Sequence, residues 1–227
     1  VLDGSYAALS NAAVTTDGNN RHGVNIINGS ALYLDNSSLV SRNGKGTTAN
    51  NGRGIQVFGS SSIQLHNGSS LLSEDNGLDG LNIGGASSFS LTDSTSSLTI
   101  RNATRLGINL WGTSHAHFFG PVLVEKNKGS GGSGIVATQT SAIYIANTVN
   151  VLDNVNQGIF AGDSSSIRVD TSGTLNVTSA TGQGISLGQN ASLSIYGTVN
   201  LQGNLNKGLI LTSSTVQVNP SGSLTVS

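Results

Sequence analysis

The residues able to do chemistry in this chain are few and unevenly placed. Glu74, Asp75 and Asp79 lie close together, with Arg53 twenty-six residues before Asp79 and Arg105 twenty-six after it. A paired-carboxylate hydrolase needs two acids converging on one bond, and a calcium-assisted lyase needs several oxygen ligands around one point. Neighbours on an extended segment point to opposite sides, so Glu74 and Asp75 cannot form such a pair by themselves. The catalytic candidates are therefore Glu74 and Asp79 as acids, with Arg53 and Arg105 as cations. The competing reading is a solvated corner, because long turns are where a soluble repeat keeps its charges.

Other reactive residue types lead less far. His115 and His117 share one side of an extended segment, a spacing able to hold a metal, but no second pair or nearby acid completes a ligand shell. They read as a solvent-facing pair, and no metal is assigned. Ser residues far outnumber any His or Asp able to activate them, so no nucleophilic triad can be nominated. The run from Lys128 to Gly134, KGSGGSG, lacks the Gly-Lys-Ser/Thr order of a phosphate-binding loop and reads as a flexible corner loop. No cofactor is implied, and Ca2+ would enter only with the lyase chemistry.

Composition narrows the setting. Of 227 residues, 111 are Gly, Ser, Thr or Asn, only 9% are charged, and the net charge is −1. Such a balance gives no electrostatic argument for nucleic acid or an anionic membrane. Yet 36% of the residues are hydrophobic, too many for a disordered chain. Without Cys there is no disulfide framework or thiolate site. No apolar run reaches the length of a membrane helix, no signal peptide is seen, and the start at Val1 suits a mature product or an excised piece.

What must position the reactive residues is a repeat. A Gly followed by apolar, spacer, apolar recurs at Gly23, Gly54, Gly80, Gly107, Gly134, Gly158, Gly184 and Gly208. A second apolar pair begins nine residues later in most coils, as in Leu32/Leu34, Ile63/Leu65 and Ile167/Val169. A third pair follows, as in Val122/Val124 and Val149/Val151, less regularly in the first three coils. Alternating pairs of this kind are short strands with one face inside. A strand so short cannot bury its apolar face alone, but stacked coils about 4.8 Å apart make one continuous core. The predicted fold is all-β: a right-handed parallel β-helix, about eight coils of 24–31 residues and three short strands per coil. It runs as a single module over 1–227, with 1–22 an incomplete first coil and 23–227 regular.

Polar residues repeat with the coil. Ser stands seven places after the anchor at Ser30, Ser61, Ser87, Ser114, Ser141 and Ser165. Asn follows the third strand at Asn43, Asn76, Asn102, Asn127, Asn154 and Asn204, with Ala180 breaking the series. Both read as structural ladders, the Asn in left-handed corner positions, and the anchor Gly as a tight bend entering a strand.

Outward positions of the first strand align Asn25, Gln56, Asn82 and Asn109, with Phe58 and Trp111 two coils apart on the next row and Gly84 between them. This places the rings about 10 Å apart. Amides match sugar hydroxyls and exposed rings stack on the apolar faces of sugars. Phe58, Trp111, Gln56, Asn82 and Asn109 are thus the candidate carbohydrate-binding residues. The alternative is that a loop or another rod covers the rings.

The pattern of Asn, short gap, Gly-apolar-x-apolar, Ser-rich turn and second apolar pair, clearest in Asn154 to Val169 and Asn204 to Val218, resembles the right-handed parallel β-helix superfamily. That superfamily includes pectate-lyase-like enzymes, phage tailspikes and adhesin or autotransporter-passenger repeats, so the resemblance implies a fold more than a function. The favoured expectation is a non-enzymatic, secreted or cell-surface structural or adhesive module, an adhesin, biofilm-matrix or filament segment binding polysaccharide or a cell-surface glycan. The alternatives are a polysaccharide lyase or glycoside hydrolase of the pectate-lyase-like type and a tailspike-like receptor-binding segment. Nucleic-acid binding and membrane insertion are not expected. Both ends read as unfinished, with open strand edges suited to end-to-end or side-by-side self-association.

Overall fold

The computed structural model describes residues 1–46, 52–129, 131–178 and 181–227. The chain folds as an all-β parallel solenoid of three sheets, each of nine strands stacked in coil order. Every pairing is parallel, and each strand pairs with its counterpart one coil away. Eight of the nine rungs carry the Gly anchor. The segment before Gly23, expected to be an incomplete coil, gives one strand to each sheet: Leu2–Asp3, Tyr6–Ser10 and Ala13–Asp17. Of its apolar residues, Leu9 and Val14 pack against the core while Tyr6 points out and is 69% exposed. Ala180 and Ser130 lie outside the described residues.

Alternation builds the interior as the pattern requires. Ile55 and Val57, Ile63 and Leu65, Ile108 and Leu110, and Ile143 and Ile145 are all at most 2% exposed and belong to one contiguous core. Burying each such side chain contributes roughly 1.5–3 kcal/mol before chain entropy is set against it. The third apolar pair was hard to see in the early coils because its second member there is Ser. Ser41 and Ser73 are fully buried, and their hydroxyls donate to the Gly54 and Gly80 carbonyls. Satisfied in this way, a hydroxyl can occupy a position that holds Ile100, Val124 or Val151 in later coils.

The anchor glycines are explained by packing rather than by a bend. None of the eight has a positive φ. A Cβ on Gly80 would stand 2.2 Å from Ile100 Cγ2, and one on Gly134 would stand 2.4 Å from Val151 Cγ1 and 2.5 Å from the Gly158 carbonyl oxygen. The third strand of each coil therefore closes onto the start of the first, and only Gly leaves the necessary space.

Left-handed backbone sits elsewhere. At the turn between first and second strands, consecutive residues take positive φ in coil after coil: Gly85 and Ala86, Gly112 and Thr113, Gln139 and Thr140, Asp163 and Ser164. Non-Gly residues tolerate this conformation because each rung supports the next, as in Ala86 N–H to Gly112 O at 2.8 Å and Thr140 N–H to Asp163 O at 2.9 Å. The buried Ser that follows caps the turn: Ser61 and Ser114 donate to the carbonyls of Phe58 and Trp111, each at 2.8 Å.

The expected Asn series resolves into two adjacent columns. Asn43, Asp75, Asn102, Lys126, Asp153 and Gly203 take the left-handed corner. One residue later, Asn76, Asn127 and Asn154 are buried and have no positive φ. Asn127 donates to Asn154 Oδ1 at 2.7 Å, and Asn127 Oδ1 accepts from the Ala103 N–H at 3.0 Å. Asn43 and Asn102 are thus corner residues, whereas Asn76, Asn127 and Asn154 bridge rungs inside the corner.

Candidate functional site

The third corner, where the last strand of one coil turns into the first strand of the next, gathers the charges. The third sheet ends in a ladder of alternating sign. Asp17, Arg42, Glu74, Arg101 and Glu125 stand in register on successive rungs. Arg101 donates to Glu74 through Nε at 2.8 Å and approaches it again through Nη2 at 2.7 Å, and Arg42 donates to Asp17 at 3.0 Å. Glu74 therefore closes onto Arg101 rather than onto Arg53 or Arg105, the partners considered from sequence.

Asp79 does meet both of those arginines. It is fully buried, and Arg105 grips it with two bonds, Nε to Oδ1 at 2.8 Å and Nη2 to Oδ2 at 2.6 Å. Arg53 adds Nε to Oδ2 at 3.3 Å, then turns its Nη1 to Gln56 Oε1 at 2.9 Å. The spacing of one coil on either side of Asp79 delivers this triad. Two guanidinium groups on one buried carboxylate leave a local surplus of positive charge and an aspartate whose oxygens are already occupied. Of the four catalytic candidates, Arg53, Asp79 and Arg105 come together, and Glu74 belongs to the neighbouring ladder.

The aromatic row continues from this triad. Register holds along the first sheet: Gln56, Asn82 and Asn109 align, and Phe58 aligns with Gly84. The rings, however, are not 10 Å apart. Phe58 and Trp111 lean over Gly84 into contact, with centroids 5.4 Å apart and planes at 30°. A Cβ at Gly84 would lie 2.4 Å from Trp111 Cε2, so glycine makes the contact instead of holding a gap open. Asn82 is buried beneath them, its Oδ1 accepting from Asn109 Nδ2 at 2.9 Å and from Trp111 Nε1 at 3.3 Å. Arg53, Gln56, Phe58, Asn82 and Trp111 line a cleft of about 210 Å³. The two groups of candidates thus form one continuous surface, joined by the Arg53 to Gln56 bond.

Around this surface, His22 lies one rung before Arg53, and its Nδ1 is buried without a partner. Burial and the charges of Arg53 and Arg21 hold its pKa below the usual 6.5. Asn25 Oδ1 is likewise buried and unpartnered. Asn25 belongs to the amide row read from sequence and aligns with Gln56, whereas His22 was not singled out, because a lone His in a polar chain has no distinguishing pattern.

The second sheet carries the histidine pair. His115 and His117 face outward, and His117 packs against Tyr144 and Phe119 with centroids 5.9 and 6.4 Å away. Its pKa falls below 6.5 through desolvation and the neighbouring His115. Among the described residues, no three His, Asp or Glu side chains gather as a metal site. Next to this pair, Tyr144 donates to Asp170 at 2.5 Å and Arg168 lies 4.5 Å over the Tyr196 ring. Sequence reading missed this cluster, since its members come from different coils and only stacking unites them.

No family model, curated protein or solved structure matches this chain. Among the described residues, no helix is long and apolar enough to cross a membrane.

Proposed function

We propose that this chain is a surface-presenting module, a structural or adhesive rod of the cell surface or extracellular matrix, which binds polysaccharide at the cleft of Arg53, Gln56, Phe58 and Trp111. The observation that carries the reading is the preorganisation of that cleft. A tilted aromatic pair is fixed by the Trp111 to Asn82 bond, and beside it Arg53 is held by Asp79 and in turn holds the Gln56 amide. Half-buried rings offer an apolar face to sugar C–H groups, and Arg53 and Gln56 offer donors to hydroxyls. Side chains already held in place lose little entropy on binding.

Catalysis is the second reading, and the state of Asp79 argues against it. A general acid or base needs an oxygen free to reach the substrate, whereas both Asp79 oxygens accept from arginine beneath the surface. Glu74 is bound to Arg101 on another sheet edge. The test is a panel of acidic and neutral polysaccharides, with and without Ca2+. Retention on an immobilised polysaccharide that drops at least tenfold in Trp111→Ala and Phe58→Ala supports the proposal. Unchanged retention removes the cleft from consideration, and new reducing ends or unsaturated products lost in Asp79→Asn would establish an enzyme instead.

A further inference from the structure

Three of the four histidines, His66, His115 and His117, lie on the outer face of the second sheet. His66 is engaged by the fold: its Nε2 meets Gln64 Oε1 at 3.4 Å, its Nδ1 meets Thr92 Oγ1 at 2.7 Å, and its ring stacks on Tyr33 at 4.3 Å. His115 and His117 are exposed, and neither imidazole exchanges a hydrogen bond or an ion pair with any described residue. Their four ring nitrogens stand open to solvent.

The pair flanks the fully buried Ala116, so both imidazoles leave the same side of one strand. Two strand rises separate their Cα atoms by about 6.6 Å. Metal–nitrogen bonds of about 2.0–2.1 Å require two donor nitrogens about 3 Å apart, a closure that turning one imidazole toward the other supplies. His117 is the fixed partner, held edge-on against Phe119 and beside Tyr144. His115 has room to turn. Its neighbours in the column are Ser88 and Ala142, and from Ala31 to Thr215 every other member is Ala, Ser or Thr. Beside both rings opens a cleft of about 250 Å³, lined by Gln64, Ser88, Ser90, His115 and His117 over Phe89. Charge favours a cation here: the second strands and the turns on either side of them carry Asp35, Asp93, Asp163 and Asp170 against one cation, Arg168. Asp93 and Asp170 accept hydrogen bonds from their neighbours, yet their charge remains and biases this face toward positive ions.

We propose that His115 and His117 chelate a divalent transition-metal ion, Cu2+ most tightly, with water and the oxygens of the cleft in the remaining positions. Imidazole suits Cu2+, Ni2+ and Zn2+, and the affinity order of divalent ions places Cu2+ above its neighbours. Ca2+ and Mg2+ take oxygen-rich shells and do not fit. Since no third His, Asp or Glu joins the pair among the described residues, the site is open rather than closed, of moderate affinity, with positions on the cleft side left for an added ligand. It shares no residue with the cleft of Arg53 and Trp111, and it stands or falls independently of polysaccharide binding.

Calorimetric titration of the untagged 227-residue chain with CuCl2 in a non-coordinating buffer tests the proposal. One Cu2+ should bind per chain, Ni2+ and Zn2+ should bind at least tenfold more weakly, and Ca2+ should give no heat. His115→Ala removes an exposed imidazole, and His117→Phe keeps the ring against Phe119 and Tyr144 while removing its nitrogens. Each should weaken Cu2+ binding at least tenfold with an unchanged circular dichroism spectrum, whereas His66→Ala should leave it within twofold. Pulsed electron paramagnetic resonance at one equivalent of Cu2+ should show two coordinated imidazoles. Amide resonances broadened by the ion should centre on Ser88–Leu91, His115–Phe118 and Ala142–Ile145. Coordination by a single imidazole, or broadening centred on Val1, His22 or His66, overturns the proposal. So does Cu2+ affinity that survives both substitutions, or Ca2+ bound in place of Cu2+.

Discussion

The explanation given for the anchor glycines makes a prediction whose sign separates it from its rival. Consider Gly80→Ala. If Gly80 served backbone freedom alone, its ordinary φ would accept Ala, and the variant would gain about 0.4–1 kcal/mol by restricting the unfolded chain. Instead the new methyl would lie 2.2 Å from Ile100 Cγ2 and 2.9 Å from the Gly107 carbonyl oxygen, with Ile100 itself fully buried. Ordinary van der Waals contact begins more than 1 Å further out, so Ile100 must leave its rotamer or the third strand must move. Overpacking of this kind costs about 1–3 kcal/mol. Ile100→Ala alone leaves a cavity and costs about 2–5 kcal/mol. In the double variant the methyl introduced at position 80 enters the space that Ile100 vacates, so the combined loss should fall short of the sum by at least about 1 kcal/mol. A stacked repeat need not unfold in one step, so denaturant unfolding should be paired with amide hydrogen exchange on Ile55–Phe58 and Leu106–Leu110, the strands either side of the altered rung. A neutral or stabilised Gly80→Ala, or strict additivity with Ile100→Ala, would refute the packing argument.

Further outcomes follow from the site. Asp79→Asn removes a buried charge from two arginines; breaking an enclosed pair costs about 3–5 kcal/mol, and since the Arg105 side chain keeps 38% of its exposure the expected loss of stability is nearer ~2 kcal/mol, read by denaturant titration. The depressed pKa values of His22 and His117 mean that the unfolded chain binds protons more readily than the folded one. Their contribution to stability is present above 6.5, the unfolded value, and is lost as pH falls through the lower folded values. Imidazole C–H chemical shifts titrating above 6.5 would contradict this. Loss of polysaccharide retention in Trp111→Ala, read on an immobilised polysaccharide, completes the set.

Much of the architecture was legible because a solenoid repeats its packing problem. The Gly anchors and the alternating pairs that follow them gave coil length, strand number and the inward-facing set. The register of Gln56 with Asn82 and Asn109 then followed from stacking like on like. The third strand was obscured where Ser41 and Ser73 replaced aliphatic residues, since pattern reading takes a hydroxyl for a surface residue unless its bond partner is known. The two Asn columns were merged for a related reason. Asn43 and Asn76 differ by one place in the turn, and that single step separates a left-handed corner residue from a buried bridge.

The candidate site was legible in its members but not in its connections. The spacing of one coil placed Arg53 and Arg105 on either side of Asp79, yet nothing in sequence told that Glu74 would bind Arg101 instead. Nor did it tell that the 10 Å between Phe58 and Trp111, about two strand spacings, would close to 5.4 Å. Backbone spacing sets where side chains begin, and long side chains choose among neighbours within reach.

What the sequence determined by itself is therefore the periodic part: three strands to a coil, a core of stacked aliphatic columns, and the polar half of the composition assigned to turns. These follow because hydrophobic burial is non-directional and needs only the right residues at the right period. What the tertiary structure alone decided is the particular part: which arginine holds which carboxylate, which rings touch, and how charge divides between the edges of the rod. Those depend on directional contacts between residues a coil or more apart, whose geometry exists only once the coils are stacked.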